Sequence, residues 1–143
     1  MLKKLLTLLM FAPLLYAQVN FQTAKLYKAD ISAKQAYEMQ QEGVVLIDAR
    51  TKREFNTLHP KGSINIPVFF EKNGKRVFNQ NFPNEVYELQ KKNLNTKLIL
   101  ICRTGSRTKL ASNILANLGF KEVYNVQYGF ALDWTKVNLP VAK

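Results

Sequence analysis

The chain has 143 residues, 47% hydrophobic and 22% charged, enough for one domain with a sizeable core and unlike the make-up of a disordered segment. A single cysteine excludes an internal disulfide, and with a single histidine beside it the chain lacks the ligands of a typical zinc site. The formal net charge of +11 favours anionic ligands, but no basic run exceeds two residues, which argues against a dedicated nucleic-acid surface.

Residues 1–17 read as a signal peptide. Lys3 and Lys4 precede the apolar run "LLTLLMFAPLLY", which is too short to span a bilayer, and Ala17 offers the cleavage point. Leu15 is large for its place upstream of that cut, so an uncleaved anchor stays open as the alternative. The expected mature product is residues 18–143, one domain exported to the periplasm or secreted. No cysteine stands directly after the apolar run, so a lipoprotein-type anchor is not expected, nor is stable membrane insertion after cleavage.

In chain order, "ISAKQAYEMQQEG" predicts a helix with Ser32 as N-cap, Gln35 closing a capping box and Gly43 as the C-terminal stop. Its apolar face is Ala33, Ala36, Tyr37 and Met39. "VVLID", residues 44–48, is a continuous apolar run of the kind that fills a buried parallel strand. "TKREFNTLH" predicts a short helix and "SINIP" a short strand stopped by Pro67. In "FFEKNGKRVF", Asn73-Gly74 lies between two strand-like runs and signals a hairpin that decorates the core.

"NEVYELQKKN" predicts an exposed helix and "KLILIC" a buried strand. "SRTKLASNILANLG" predicts an amphipathic helix with Leu110, Ile114, Leu115 and Leu118 on its apolar side and Gly119 at its end, and "EVYNV" is the last strand expected. Strands alternating with helices specify an α/β domain with a mainly parallel central sheet. Its ligand should sit beyond the carboxyl ends of the strands, where Cys102 lies.

Cys102 is either a buried filler or a reactive thiol, and its setting favours the second. It ends a strand, a polar loop follows, and a helix begins near Ser106 or Arg107, so backbone N–H groups and the helix dipole favour an anion at the sulfur. Arg103 and Arg107 add positive charge, and Gly105 lets the loop curl with its backbone facing inward.

The segment "CRTGSR" resembles the active loop of the rhodanese-like sulfurtransferases, C-x-x-G-x-R, at Cys102, Gly105 and Arg107. "LIDARTKREF" is similar to a second segment of that family at Asp48, Arg50, Glu54 and Phe55, and "HPKGSINIP" to a third at His59, Gly62, Asn65, Ile66 and Pro67. "VQYGFALDW" resembles the closing segment, which usually carries two adjacent glycines. Tyr128 stands in place of the first of these, Leu58 replaces a common glycine, and the hairpin near Asn73 is longer than a minimal domain needs. Cysteine phosphatases hold phosphate with C-x5-R, whereas Cys102 and Arg107 have four residues between them, which argues against phosphatase or arsenate-reductase chemistry.

The resemblance implies a rhodanese-like fold, with helices on both faces of the sheet, and a double displacement. Cys102 takes the outer sulfur of thiosulfate or a related small anion as a persulfide and passes it to cyanide or an acceptor thiol, which a protein partner could carry. No cofactor and no metal is implied. Arg103 would meet the sulfonate, and Thr104 and Ser106 would form small polar walls. Arg107 would either bind the anion or hold the loop by bonding to its carbonyls or to an acidic side chain, with the second role favoured. Asp48 and Arg50 would brace the site, Arg50 pairing with Glu54 at i,i+4 spacing, and His59 is expected to be a structural, hydrogen-bonded histidine. The alternative is a carrier or redox-sensing module with the same fold and little turnover.

Overall fold

In the computed structural model the described residues are 18–143, so the expected signal peptide lies outside them. The strands are β1 (Ala29–Ile31), β2 (Val45–Asp48), β3 (His59–Pro60), β4 (Ile64–Asn65), β5 (Phe69–Lys72), β6 (Lys75–Phe78), β7 (Leu98–Ile101), β8 (Val123–Val126) and β9 (Val141–Ala142). The helices are α1 (Ala33–Gln41), α2 (Lys52–Thr57), α3 (Phe82–Leu89) and α4 (Ser106–Asn117), with a single π-helical turn at Phe130–Trp134.

Five strands form a wholly parallel sheet in the order β1-β8-β7-β2-β4. The apolar runs occupy its centre because a parallel strand is covered on both faces. Leu98, Ile99, Leu100 and Ile101 of β7 are all fully buried, and each such side chain contributes about 1.5–3 kcal/mol on transfer from water. Alternation divides the core in two. Ile47, Leu98, Leu100 and Val123 face α3 and α4 through Phe82, Val86, Ala111 and Leu115, whereas Leu46, Ile99, Ile101 and Val126 face α1 and the π-turn through Ala33, Ala36, Phe130 and Trp134. Helices thus cover both faces, as an α/β architecture requires.

The strand order reverses between β2 and β7. The chain leaving β2 passes through α2 to β4 on one side, and the chain leaving β7 passes through α4 to β8 on the other. A crevice opens at the carboxyl ends of the two strands, the usual ligand position in open α/β sheets. The two strands stay paired to these ends, Asp48 beside Ile101.

Local signals acted as expected at α1, where Ser32 and Gln35 form the capping box and Gly43 follows with φ +96°. The β5-β6 hairpin turns at Asn73 and Gly74, both at positive φ, which suits a tight two-residue turn. Three expectations are corrected. The helix foreseen as exposed, α3, buries Phe82 and Val86, because its start lies earlier than the polar stretch suggested. In α4 the buried face is Thr108, Ala111, Ser112 and Leu115, while Leu110 and Ile114 are only partly covered and Leu118 is 53% exposed. Small and hydroxyl side chains there let the helix lie close to the sheet, an advantage that a leucine count does not capture. Finally, β8 is not the last strand: β9 pairs antiparallel with β3, Ala142 against His59 and Val141 against Pro60.

Candidate active site

Cys102 leaves β7 with its side chain 1% exposed, and α4 starts four residues later at Ser106. The bend is made by Gly105, which caps α4 at φ +97° and presses against the neighbouring strand exit, where a Cβ would overlap the Gln127 carbonyl oxygen. Gly129 closes the other side at φ +69°, where a Cβ would lie 2.5 Å from the Cys102 carbonyl oxygen. The loop is then stitched to the π-turn: the N–H of Phe130 donates to the Cys102 carbonyl at 2.8 Å and that of Ala131 to the Arg103 carbonyl at 2.9 Å. These bonds occupy the carbonyls of Cys102 and Arg103.

The Gly105 N–H donates to Cys102 Sγ at 3.2 Å, and Thr108 Oγ1 lies 3.3 Å from the same sulfur. The first N–H groups of a helix have no intrahelical acceptor, so the start of α4 adds partial positive charge beside the sulfur. Arg107 is 6% exposed and reaches to Glu54, with Nη1 to Oε2 and Nη2 to Oε1 both at 2.8 Å. Burial alone would raise the Glu54 carboxyl, but the Arg107 hydrogen bonds, the Thr51 N–H and the Arg107 charge outweigh it and lower it to about 2. The bond to Glu54 raises Arg107 against the opposing effect of its burial. Arg107 therefore holds α2 against the loop.

The expected Arg50–Glu54 pair does not form. Arg50 binds Asp48 instead, Nε to Oδ1 at 3.0 Å and Nη2 to Oδ2 at 2.7 Å, and also donates to the Leu58 carbonyl at 2.7 Å. The pair is buried, and the guanidinium lies 4.3 Å above the Phe130 ring. The i,i+4 spacing had no force because Arg50 precedes the Thr51 N-cap of α2 and is not on the helix. Asn65 anchors the same turn by donating to the Asp48 and Arg50 carbonyls at 3.0 and 2.9 Å. His59 Nδ1 meets the Phe55 carbonyl at 2.8 Å and its ring stacks on Phe55, a packed position on β3.

Arg103 is exposed and makes no ion pair among the described residues. It lines a pocket of about 410 Å³ whose other charged residues are Arg50, Arg53 and Glu54, and of the loop Arg103 alone reaches it; Cys102 is not in its lining. Thr104 is half-buried and Ser106 exposed, so both stay at the surface of the loop. A larger pocket of about 700 Å³ lies between α2 and the hairpin, lined by Phe55, Phe69 and Phe70, and contains no residue of the loop. Two residues of the sulfur's surroundings escaped the sequence reading, Thr108 and Asn125, whose side chains meet at 2.6 Å. The only trace of them was a pair of polar residues at positions where a buried helix face and a buried strand call for apolar ones.

Residues 32–135 match the family model described as Rhodanese-like domain. Senescence-associated protein DIN1 of Raphanus sativus is 30% identical over 125 residues, covering 87% of this chain and 67% of that protein. Thiosulfate sulfurtransferase GlpE of Haemophilus influenzae is 29% identical over 112 residues, covering 78% of this chain and 92% of that one. The crystal structure of Rv0390 from M. tuberculosis superposes with a TM-score of 0.65 at 26% identity, covering 81% of this chain and 98% of that chain.

Proposed function

This chain belongs to the rhodanese-like domain family, and on that premise we propose that it is a sulfurtransferase working through a persulfide on Cys102. The observation that carries the reading is the sulfur itself, held at the start of α4 with the Gly105 N–H 3.2 Å away, next in sequence to the exposed Arg103. The thiolate of Cys102 attacks the outer sulfur of thiosulfate or a related donor. That S–S bond breaks, its electron pair leaves with sulfite, and Cys102 carries the sulfur as an anionic persulfide. Cyanide or an acceptor thiolate then attacks the outer sulfur, the new S–S bond breaks, and the Cys102 thiolate returns; no external oxidant or reductant is consumed. The Gly105 N–H and the helix start favour negative charge on sulfur in both halves of the cycle.

In this reading Arg103 meets the donor's anionic end, Thr104, Gly105 and Ser106 shape the mouth, and Arg107, Asp48 and Arg50 keep the loop in register. GlpE is named a thiosulfate sulfurtransferase, which supports thiosulfate as the first donor to try. The near-complete burial of Cys102 favours, as a second reading, a carrier that hands its sulfur to one partner protein able to present a thiol to the loop. Export to the periplasm or beyond is proposed on Lys3, Lys4 and the apolar run that follows them.

The test is intact mass before and after thiosulfate, then cyanide with thiocyanate detection, alongside Cys102→Ser. Wild-type protein should gain about 32 Da, one sulfur, and lose it to cyanide on each cycle, and the variant should gain nothing. No adduct from thiosulfate or from polysulfide would overturn the persulfide reading.

A further inference from the structure

Thr108 Oγ1 is surrounded by three acceptors: Asn125 Oδ1 at 2.6 Å, Cys102 Sγ at 3.3 Å and the Gly105 carbonyl at 3.4 Å. A hydroxyl has one hydrogen to give, and Thr108 is fully buried away from bulk solvent. The orientation of Asn125 is set from its far side. Its Nδ2 donates to Asp30 Oδ1 at 2.9 Å, an acceptor-only carboxylate, which leaves Oδ1 as the atom facing Thr108. Asp30 and Asn125 are register partners in β1 and β8. Asp30 is itself held by the Tyr27 hydroxyl, which donates to the same oxygen at 2.7 Å, and by Lys25 at 3.8 Å. Burial and the bond to Asp30 push the Tyr27 hydroxyl up, so it stays a donor through the neutral range.

We infer that Asp30, acting through Asn125, sets the direction of the Thr108 hydroxyl and thereby the reactivity of Cys102. Asp30 and Asn125 are positioning residues, and Thr108, which touches the sulfur, has two orientations. With a neutral thiol it gives its hydrogen to Asn125 and receives the S–H. With an anionic sulfur the hydrogen turns to Sγ and joins the Gly105 N–H there. The Asp30 anchor opposes that turn, since it holds an oxygen in front of Thr108 that would lose its donor. The edge strand β1, remote from the loop in sequence, therefore restrains the nucleophile. The inference rests on Cys102 being the nucleophile, but its consequence is read without any sulfur transfer.

The experiment is the rate of Cys102 alkylation by iodoacetamide across pH. Thr108→Val should slow alkylation about tenfold at neutral pH and move the profile to higher pH, and Thr108→Ser should restore it. Asp30→Ala frees Asn125 to turn its NH2 toward Thr108, which sends the hydroxyl hydrogen to the sulfur, so alkylation should be several-fold faster and the profile should move to lower pH. In the double variant Asp30→Ala/Thr108→Val the acceleration should vanish. The other charged groups near the sulfur, Arg103, Arg107 with Glu54 and Asp48 with Arg50, are the same in every variant.

If the acceleration persists in the double variant, Asp30 acts only through its charge and the inference fails; it also fails if Thr108→Val leaves the profile unchanged. Should Thr108→Val not fold, Asp30→Asn decides, because it removes the charge but keeps an oxygen for Asn125 and Tyr27. A profile like that of wild type supports the relay, and one that shifts as far as Asp30→Ala overturns it. A protein that failed to take sulfur from any donor would contradict the proposed function while leaving these rates readable.

Discussion

Arg107 and Glu54, 53 positions apart, form a two-pronged ion pair at 2.8 Å that ties the start of α4 to the first turn of α2. Glu54 has a second duty as the capping-box partner of Thr51, accepting from its N–H and hydroxyl at 3.0 Å. One carboxylate thus closes a helix cap and anchors the arginine behind the Cys102 loop.

Glu54→Gln should accordingly leave a buried guanidinium without its counter-charge and cost about 2–3 kcal/mol in urea unfolding. The pH dependence has a defined sign. The folded carboxyl is lowered from 4.5 to about 2, so its contribution is fully present above the ordinary carboxylate range and is lost as pH falls from there toward the folded value. Wild type should lose its advantage over Glu54→Gln across that interval and keep it at neutral pH. Equal stability of the two proteins at neutral pH would remove the pair from the account.

Arg103 is an exposed cation of the pocket with no ion pair among the described residues, unlike Arg53, which is paired with Glu71, and its removal should be felt in binding before chemistry. Arg103→Ala is expected to raise KM for thiosulfate about three- to tenfold with a smaller change in kcat, in cyanide-coupled steady-state assays. Added salt should raise the wild-type KM more than that of the variant, since screening weakens an exposed charge. A fall in kcat at constant KM would instead place Arg103 in the chemical step.

Gly105 and Gly43 separate two costs of a side chain at positive φ. Gly43 lies at φ +96° with open space around it, whereas a Cβ at Gly105, φ +97°, meets the Gln127 carbonyl. Gly43→Ala should cost about 1 kcal/mol, from backbone conformation alone. Gly105→Ala should cost clearly more, about 3 kcal/mol or above, and should also slow Cys102 alkylation. Matching losses in thermal unfolding would show that the loop yields at Gln127 without strain.

The sulfur's location was legible because each signal behind it is short in range. An apolar run made β7 a central strand, Gly105 marked the bend, and polar residues after Cys102 marked a helix start. The Ser32–Gln35 and Asn73-Gly74 signals worked for the same reason, since caps and turns are settled within four residues. The segments around Asp48, His59 and Cys102 sufficed to place the chain among rhodanese-like domains.

What the sequence by itself determined, then, is the four helices, the central strands β2, β4, β7 and β8, the β5-β6 hairpin and the placing of Cys102 at a strand end, whereas the short strands β1, β3 and β9 carried too few residues for a pattern to show. Only the tertiary structure decided who pairs with whom. Arg50 took Asp48 rather than Glu54 because the β2 turn brings the two together before α2 begins, and that choice left Glu54 for Arg107. Thr108 looked like one more polar residue on a helix until the parallel register of β1 and β8 set Asn125 between it and Asp30. Helix and turn signals are local, whereas the partner of a buried charge or hydroxyl is chosen by which distant groups the folded sheet places within about 3 Å of it.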